Sequence, residues 1–287
     1  MASRDLTTST AGPSSSPISG ARLAYSRVGA GEPLVLLHGQ GLSRRSWAPV
    51  IGELARHRDV IAVDLPGHGE SPRQPQGVGS TPFDQARAVA ELLDQLGLST
   101  VHVAGNSIGG WVALELGRLQ RARTITALSP GGLWGRHAPL FISTTMRQFR
   151  INARIVHRLA SDAPRSRWAR ALFMAQLSGH PSRVPYDMAN GAVHDMATAP
   201  GFRETLHGAE RTSFRHGDEI QVPVTVAFGS RDRVLPPLMT RRRHELPPQT
   251  RWIKIMGAGH VPMFDYPEAT ATLLLHASGP RAGEPLR

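Results

Sequence analysis

The chain has 287 residues, of which 40% are hydrophobic and 19% charged, so a sizeable core can form and wholesale disorder is excluded. It contains no cysteine, which excludes a disulfide framework, a thiolate metal site and a cysteine nucleophile. The net charge is +11, yet Lys254 is the only lysine, and an arginine-only preference of this kind is weak evidence for nucleic-acid binding.

The two ends of the chain have the composition of tails. Residues 1–19 are rich in Ser, Thr, Gly and Pro, which predicts a flexible segment, and residues 279–287 have a similar composition. The N-terminal stretch lacks the apolar core of a signal peptide, and no apolar run approaches the ~20 residues of a membrane span. We therefore expect a cytoplasmic protein that makes no membrane contact.

Between the tails, short apolar runs alternate with helical patterns. The runs predicted as buried strands cover 33–37, 60–63, 101–104, 124–128, 222–228 and 251–255. The helical patterns around them cover 47–56, 82–96, 109–121 and 268–276. Near-continuous apolar strands that alternate with helices predict an α/β fold with a doubly wound, mostly parallel sheet.

The alternation stops over residues 131–217, where only helical patterns occur. One predicted helix has an apolar stripe made of Ile142, Met146, Phe149, Ala153, Val156 and Ala160. Two further helices are predicted at 168–177 and 202–214. Residues 131–217 are thus predicted to be a helical lid, inserted into an α/β core formed by residues 20–130 and 218–278.

The predicted lid carries most of the excess charge. It holds 12 basic and 5 acidic residues, a net charge of +7, whereas each flanking part of the core carries +2. Opposite the apolar stripe lie Arg147, Arg150, Arg154 and Arg158. We interpret this arginine stripe as a solvated outer face, because long arginine stems cover apolar surface while their charged heads stay in water. The alternative is a lid that attracts an anionic or carrier-bound substrate.

Ser107 is the candidate nucleophile. It stands in Gly105-Asn106-Ser107-Ile108-Gly109, between a predicted strand and a predicted helix. A serine on a sharp strand-to-helix turn needs small neighbours and projects near a helix N-terminus, which favours developing negative charge. The alternative is an ordinary glycine-rich turn with a capping serine. The position of Ser107 between a strand and a helix favours the nucleophile over this alternative.

A serine hydroxyl needs a base, and the base needs an acid that orients it. His260 follows the strand 251–255 among glycines, and Asp232 follows the strand 222–228. Ligand sites of open α/β sheets lie at such carboxyl ends. The alternatives are that His260 is an ordinary surface or core histidine and that Asp232 stabilises a turn or caps a helix.

The loop after the strand 33–37 completes the predicted site. An oxyanion hole needs two donors, one from the residue after the nucleophile and one from this loop. These donors would be the backbone N–H groups of Ile108 and Gln40, while His38 would hold the loop in place. An ordinary glycine-rich loop is an equally good reading of this segment taken alone.

Five motifs together resemble the α/β-hydrolase superfamily. They begin at His38, Asp64, Gly105, Gly229 and Gly257, and they read HGQG, DLPGHGES, GNSIGG, GSRDRVLP and GAGHVPM. The resemblance implies an eight-stranded core with a helical cap after the sixth strand, a Ser107–Asp232–His260 triad and a structural role for Asp64. The family's first strand would lie before residue 21, in a Ser- and Pro-rich stretch where it would be short or missing.

The nucleophile narrows the reaction. Dehalogenases and epoxide hydrolases of this superfamily carry Asp at the elbow, whereas this chain carries Ser107. We therefore predict hydrolysis of a carboxylic ester or related acyl bond through an acyl-enzyme, with no metal and no cofactor. A carbon–carbon bond hydrolase or biosynthetic cyclase on the same triad, and a ligand-binding receptor-like module, remain alternatives. The expected partner is a small acyl substrate and not nucleic acid; the substrate-binding residues and the oligomeric state stay open.

Overall fold

A computed structural model describes residues 22–75, 79–159 and 166–279. The predicted tails lie outside these ranges except for residue 279. The strands of the described residues are β1 Tyr25–Gly29, β2 Pro33–Leu37, β3 Asp59–Val63, β4 Val101–Asn106, β5 Ala122–Leu128, β6 Val224–Gly229 and β7 Arg251–Ile255. The α-helices are α1 Ala48–Leu54, α2 Pro82–Gln95, α3 Ile108–Arg118, α4 Leu140–Leu159, α5 Arg167–Met174, α6 Tyr186–Thr198, α7 Phe202–Glu210, α8 Pro237–Thr240, α9 Pro262–Asp265 and α10 Pro267–Ala277.

The strands form one sheet in the order β1-β3-β2-β4-β5-β6-β7. β1 runs antiparallel to β3, and every other neighbouring pair is parallel. Every residue of β3, β4 and β6 is buried. Because the side chains of a strand alternate between two faces, complete burial requires cover on both sides of the sheet. The predicted doubly wound, mostly parallel fold is confirmed.

All six predicted strands are present, with ends that differ by at most two residues. The prediction that 251–255 is buried is wrong, because β7 lies at the edge of the sheet and its residues are partly exposed. β1 was not predicted, because it lies at the edge of the sheet with four of its five residues exposed and has no apolar run. The family's expected first strand, before residue 21, falls outside the described residues.

A helical insert, made of the described residues of 131–217, lies between β5 and β6 and contains α4 to α7. It follows the fifth described strand; the prediction places it after the sixth of eight, and the position predicted for the first of those eight falls outside the described residues. The apolar stripe of α4 is buried as predicted at Ile142, Met146, Phe149 and Ala153. Of the other two predicted members, Val156 is only partly buried and Ala160 lies outside the described residues. α6 was not predicted, since alanines form much of its buried face and give a weak periodic signal. In the described ranges, no helix is long and apolar enough to cross a membrane.

The parallel strands place the functional loops together. β2, β4, β6 and β7 all end at the same edge of the sheet, since neighbouring strands in this part run in one direction. The loops that follow them begin at residues 38, 107, 230 and 256. Ligands of open α/β sheets bind at this edge.

Candidate active site

Ser107 occupies a strained turn between β4 and α3. Its φ is 56° and its ψ is −117°, a backbone conformation that residues other than glycine rarely adopt. The flanking glycines make the turn possible: a Cβ on Gly105 would lie 2.1 Å from the carbonyl oxygen of Gly109, and a Cβ on Gly109 would lie 2.3 Å from that of Leu37. The motif therefore fixes a strained serine where α3 begins.

His260 and Asp232 form a buried pair. The Nδ1 atom of His260 lies 3.0 Å from Oδ2 of Asp232 and 3.2 Å from Oδ1. Both side chains are almost completely buried, with exposed fractions of 5% and 0%. Burial raises the pKa of Asp232, but the charge of His260 and hydrogen bonds from His260, Leu235 and Val234 outweigh it and hold the pKa below its ordinary value. The carboxylate therefore only accepts, so Nδ1 of His260 carries the proton and Nε2 is left as a base.

The candidate oxyanion donors lie at the start of α3 and in the loop after β2. Ile108 is the first residue of α3, so its N–H lacks an acceptor within the helix. The side chain of Gln40 is bound to the insert: its Nε2 donates to the Phe202 carbonyl oxygen at 2.9 Å and to the Thr205 hydroxyl at 2.8 Å. The insert thus holds Gln40 by its side chain, which leaves its backbone N–H as the group available for an oxyanion.

His38 and Asp64 have the structural surroundings that we predicted for them. Nδ1 of His38 donates to the Gly39 carbonyl at 2.8 Å, and Nε2 accepts from the Leu65 N–H at 3.0 Å. Burial lowers the pKa of His38, so it stays neutral. Asp64 is buried and accepts hydrogen bonds from the backbone N–H and the guanidinium of Arg44.

Two residues that tie the site together have no signal in the sequence. Nδ2 of Asn106 donates to the carbonyl oxygens of His260 at 2.9 Å and Leu128 at 3.2 Å, which links the serine turn to the histidine loop. Asp265 joins the histidine loop to the insert, since it accepts from the N–H of Gly259 at 2.8 Å and from that of Gly179 at 2.9 Å. These contacts join residues that are distant in the chain or depend on the geometry of loops. Sequence periodicity reports neither.

Ser107 faces two small cavities under the insert. One, of about 10 Å³, is lined by both Ser107 and His260, and by Met146, Phe149 and Met196 of the insert. The other, of about 50 Å³, is mostly apolar, with Trp111, Trp134 and Leu206 among its lining residues. Sites that hold drug-sized ligands usually measure ~300–1,000 Å³. The space beside Ser107 therefore fits only a small apolar group with the insert in this position.

The sequence model of the alpha/beta hydrolase family matches residues 34–273, which is most of the chain. The protein belongs to the alpha/beta hydrolase family. Three relatives place it among the family's hydrolases. Epoxide hydrolase EphH of Mycobacterium tuberculosis is 34% identical over 192 residues, covering 65% of this chain and 89% of the relative. The pimeloyl-[acyl-carrier protein] methyl ester esterase of Neisseria meningitidis serogroup B is 29% identical, covering 83% and 89%.

The third relative is a solved structure, a thermophilic esterase from Thermogutta terrifontis. It superposes with a TM-score of 0.68 at 25% identity and covers 87% of this chain and 90% of its own. Together with the family match, these relatives show that the protein is a hydrolase enzyme of the alpha/beta hydrolase family. Among the described residues, no cluster of three or more His, Asp or Glu side chains is arranged to hold a metal ion. That the hydrolase needs no metal or cofactor remains a prediction.

The arginine stripe of this alpha/beta hydrolase departs from our prediction at one position. Arg147, Arg154 and Arg158 are exposed, as expected of a solvated face. Arg150 is only 7% exposed. Its guanidinium lies 4.5 Å above the ring of Phe202, and its Nη2 donates to the Ala199 carbonyl at 2.8 Å. Arg150 is buried because residues 199–202, remote in the chain, pack over it.

Proposed function

We propose that the protein hydrolyses carboxylic esters or related acyl compounds through an acyl-enzyme on Ser107. The observation that carries the proposal is the strained Ser107 turn, which opens into the same cavity as His260, itself held by the buried carboxylate of Asp232. A nucleophile, a base and a residue that orients the base are what acyl transfer requires.

In the proposed mechanism, the Ser107 hydroxyl oxygen attacks the carbonyl carbon while its proton passes to Nε2 of His260. The N–H groups of Ile108 and Gln40 donate to the tetrahedral oxyanion. The bond to the leaving oxygen then breaks, and His260 returns the proton to that oxygen. Water attacks the acyl-enzyme, gives its proton to His260, and the acid departs as Ser107 regains a proton. Asp232 stabilises the imidazolium in both half-reactions.

We further propose that the helical insert acts as a lid. Met146 and Phe149 of α4, Met196 of α6 and Leu206 of α7 cover the cavities beside Ser107. A substrate with more than a small acyl group fits only after these side chains move. The apolar lining favours an aliphatic or aromatic acyl group over a charged one at this point.

Epoxide hydrolysis is the competing activity, since one relative carries that name. Ser107 disfavours it on chemical grounds. A carboxylate that opens an epoxide forms an ester, which water can hydrolyse at its carbonyl carbon. A serine oxygen would form an ether, which has no carbonyl carbon, and the enzyme would be trapped after one turnover.

The test is a fluorophosphonate probe together with a series of p-nitrophenyl esters. We expect the probe to label Ser107 in the native protein, and Ser107→Ala to lower ester turnover by about 10³-fold or more. A folded native protein that is neither labelled nor active on any ester would overturn acyl transfer and favour the ligand-binding role. Turnover of styrene oxide that survives Ser107→Ala would instead support epoxide chemistry by another nucleophile.

A further inference from the structure

A third and larger recess lies on the insert, between α4 and α7. It has a volume of about 510 Å³ and is lined by Arg147, Arg150, Ile151, Arg154, Phe202, Arg203, Leu206 and His207. Four of these eight residues are arginines. The catalytic residues Ser107, Asp232 and His260 are not among them, so this groove is separate from the cavities of the active site.

One residue that lines the groove, Arg150, has an incompletely paired guanidinium. Arg150 is more than nine-tenths buried and donates through Nη2 to the Ala199 carbonyl. Its Nε and Nη1 atoms are buried and have no hydrogen-bond partner within the described ranges. A buried donor without an acceptor is costly, and more so when it is charged. An anion in the groove would supply the missing acceptors.

The surrounding charges also favour an anion. Burial and the charges of Arg154, Arg203 and Arg73 lower the pKa of Arg150 to about 10, against the opposite effect of Glu204, so it stays protonated at neutral pH. The neighbouring arginines repel the buried cation of Arg150, and a bound anion would offset this repulsion.

The carboxylates nearby are already engaged. Glu210 binds Arg147 at 2.6 and 2.7 Å, and Glu204 lies 3.5 Å from Arg73. Within the described part of the chain, Arg154 makes one hydrogen bond, from Nε to the Ala197 carbonyl at 3.3 Å. The carboxylates therefore leave Arg150, Arg154 and Arg203 without a close acidic partner among the described residues.

We propose that this groove is a binding site for a phosphate-bearing small molecule, with Arg150 at its centre and Arg154 and Arg203 at its rim. Arginine suits phosphate because it offers several directed N–H donors and keeps its charge. The phosphate oxygens would accept from Nε and Nη1 of Arg150, which lie below the surface of the groove, so the side chain must turn outward on binding. The site goes beyond acyl hydrolysis and does not depend on it.

The groove adjoins the active site through α7. Leu206 lines both the groove and the apolar cavity beside Ser107. The same helix holds the Gln40 side chain through Phe202 and Thr205. A ligand in the groove would therefore contact the helix that positions the candidate oxyanion loop.

The experiment is isothermal titration calorimetry of the full-length protein with pyrophosphate, at low and high salt. We expect saturable binding that weakens as salt is raised, since part of the attraction is screened. Arg150→Gln should weaken binding by about tenfold or more, the effect of losing charge-assisted hydrogen bonds. Arg158→Gln is the matched control, because it removes the same charge from the same helix but does not line the groove.

Each outcome bears on the proposal. No binding at millimolar pyrophosphate, or equal weakening by Arg150→Gln and Arg158→Gln, would overturn it. If Arg150→Gln fails to fold, the exposed pair Arg154→Gln and Arg203→Gln takes its place, and unchanged binding in that double variant would also overturn it. Coenzyme A in a parallel titration separates the sources: tighter binding than pyrophosphate assigns an organic phosphate, and weaker binding assigns the inorganic anion. Because binding is read without turnover, these results are independent of the proposed hydrolysis.

Discussion

Replacing Asp232 by Asn exchanges one carboxylate oxygen for an NH₂ group, and the structure fixes how the new amide must lie. Oδ1 of Asp232 accepts from the N–H groups of Val234 at 2.9 Å and Leu235 at 3.0 Å. Turning the amide around would set its NH₂ against both and lose two hydrogen bonds, at a cost of about 2–5 kcal/mol. The Asn oxygen therefore stays there, and its NH₂ points at Nδ1 of His260.

This orientation forces the wrong tautomer on the base. Nδ1 of His260 must accept from the amide, so the proton moves to Nε2, which then cannot take a proton from Ser107. The same exchange in a serine protease lowers kcat by about 10⁴-fold, or about 5.5 kcal/mol of transition-state stabilisation. We expect a loss of this order for Asp232→Asn. Its melting temperature should change little, since the backbone hydrogen bonds to this side chain are kept.

The assay is steady-state hydrolysis of p-nitrophenyl acetate, with thermal unfolding and ¹⁵N NMR of the imidazole. The NMR shifts should report protonated Nδ1 in the native protein and protonated Nε2 in the variant. Asp59→Asn is the control, because it alters another buried carboxylate, one paired with Arg27 far from the site. Turnover within tenfold of native in Asp232→Asn would refute the reasoning and point to another group that orients His260.

Three further predictions test the strain, the close packing and the buried histidines. Ser107→Gly should abolish ester turnover yet raise stability by about 1 kcal/mol, because glycine adopts a φ of 56° without strain; a lower melting temperature would contradict this. Gly109→Ala should lower the free energy of unfolding by more than about 2 kcal/mol, since its Cβ would lie 2.3 Å from the Leu37 carbonyl oxygen. Gly52→Ala is the control and should raise it slightly, because Gly52 lies in a helix with open space around it. Urea unfolding compares the two variants. Burial and the neighbouring His38 lower the pKa of His68 from its ordinary value of 6.5 to about 3. Between pH 6.5 and pH 3 the unfolded chain therefore binds a proton that the folded protein does not, and stability should fall as the pH is lowered through this range. His68→Gln should flatten this dependence of melting temperature on pH, and an unchanged slope would exclude His68 as its source.

The sequence predicted well the features that depend on neighbouring residues. The apolar runs identified six of the seven described strands, because burial on both faces favours apolar residues at most positions of β2 to β6. The run of β7 identified a strand that is only partly buried. β1 escaped prediction because an edge strand with exposed side chains needs no such run. α6 escaped because alanine buries little area and marks its stripe weakly.

The insert shows most clearly what local sequence patterns cannot predict. Helical periodicity correctly separates Met146 and Phe149 from Arg147 and Arg154 by face, whereas Arg150 stands four residues after Met146 and borders the apolar stripe. It cannot report that residues 199–202 cover Arg150 and leave its neighbour Arg154 exposed, because that depends on a segment some 50 residues away in the chain. An arginine predicted as solvated is therefore the centre of the groove that we propose to bind phosphate.

By itself, the sequence determined the strand–helix alternation, the serine between its two glycines, and the loops that carry Asp232 and His260. Each of these follows from what a single segment of backbone can adopt or bury. Only the tertiary structure decided that Asp232 lies 3.0 Å from His260, that α7 holds the Gln40 side chain, and that Asn106 joins the serine turn to the histidine loop. Those contacts join residues 28 to 165 positions apart, and parallel strands that end at one edge of the sheet bring them together.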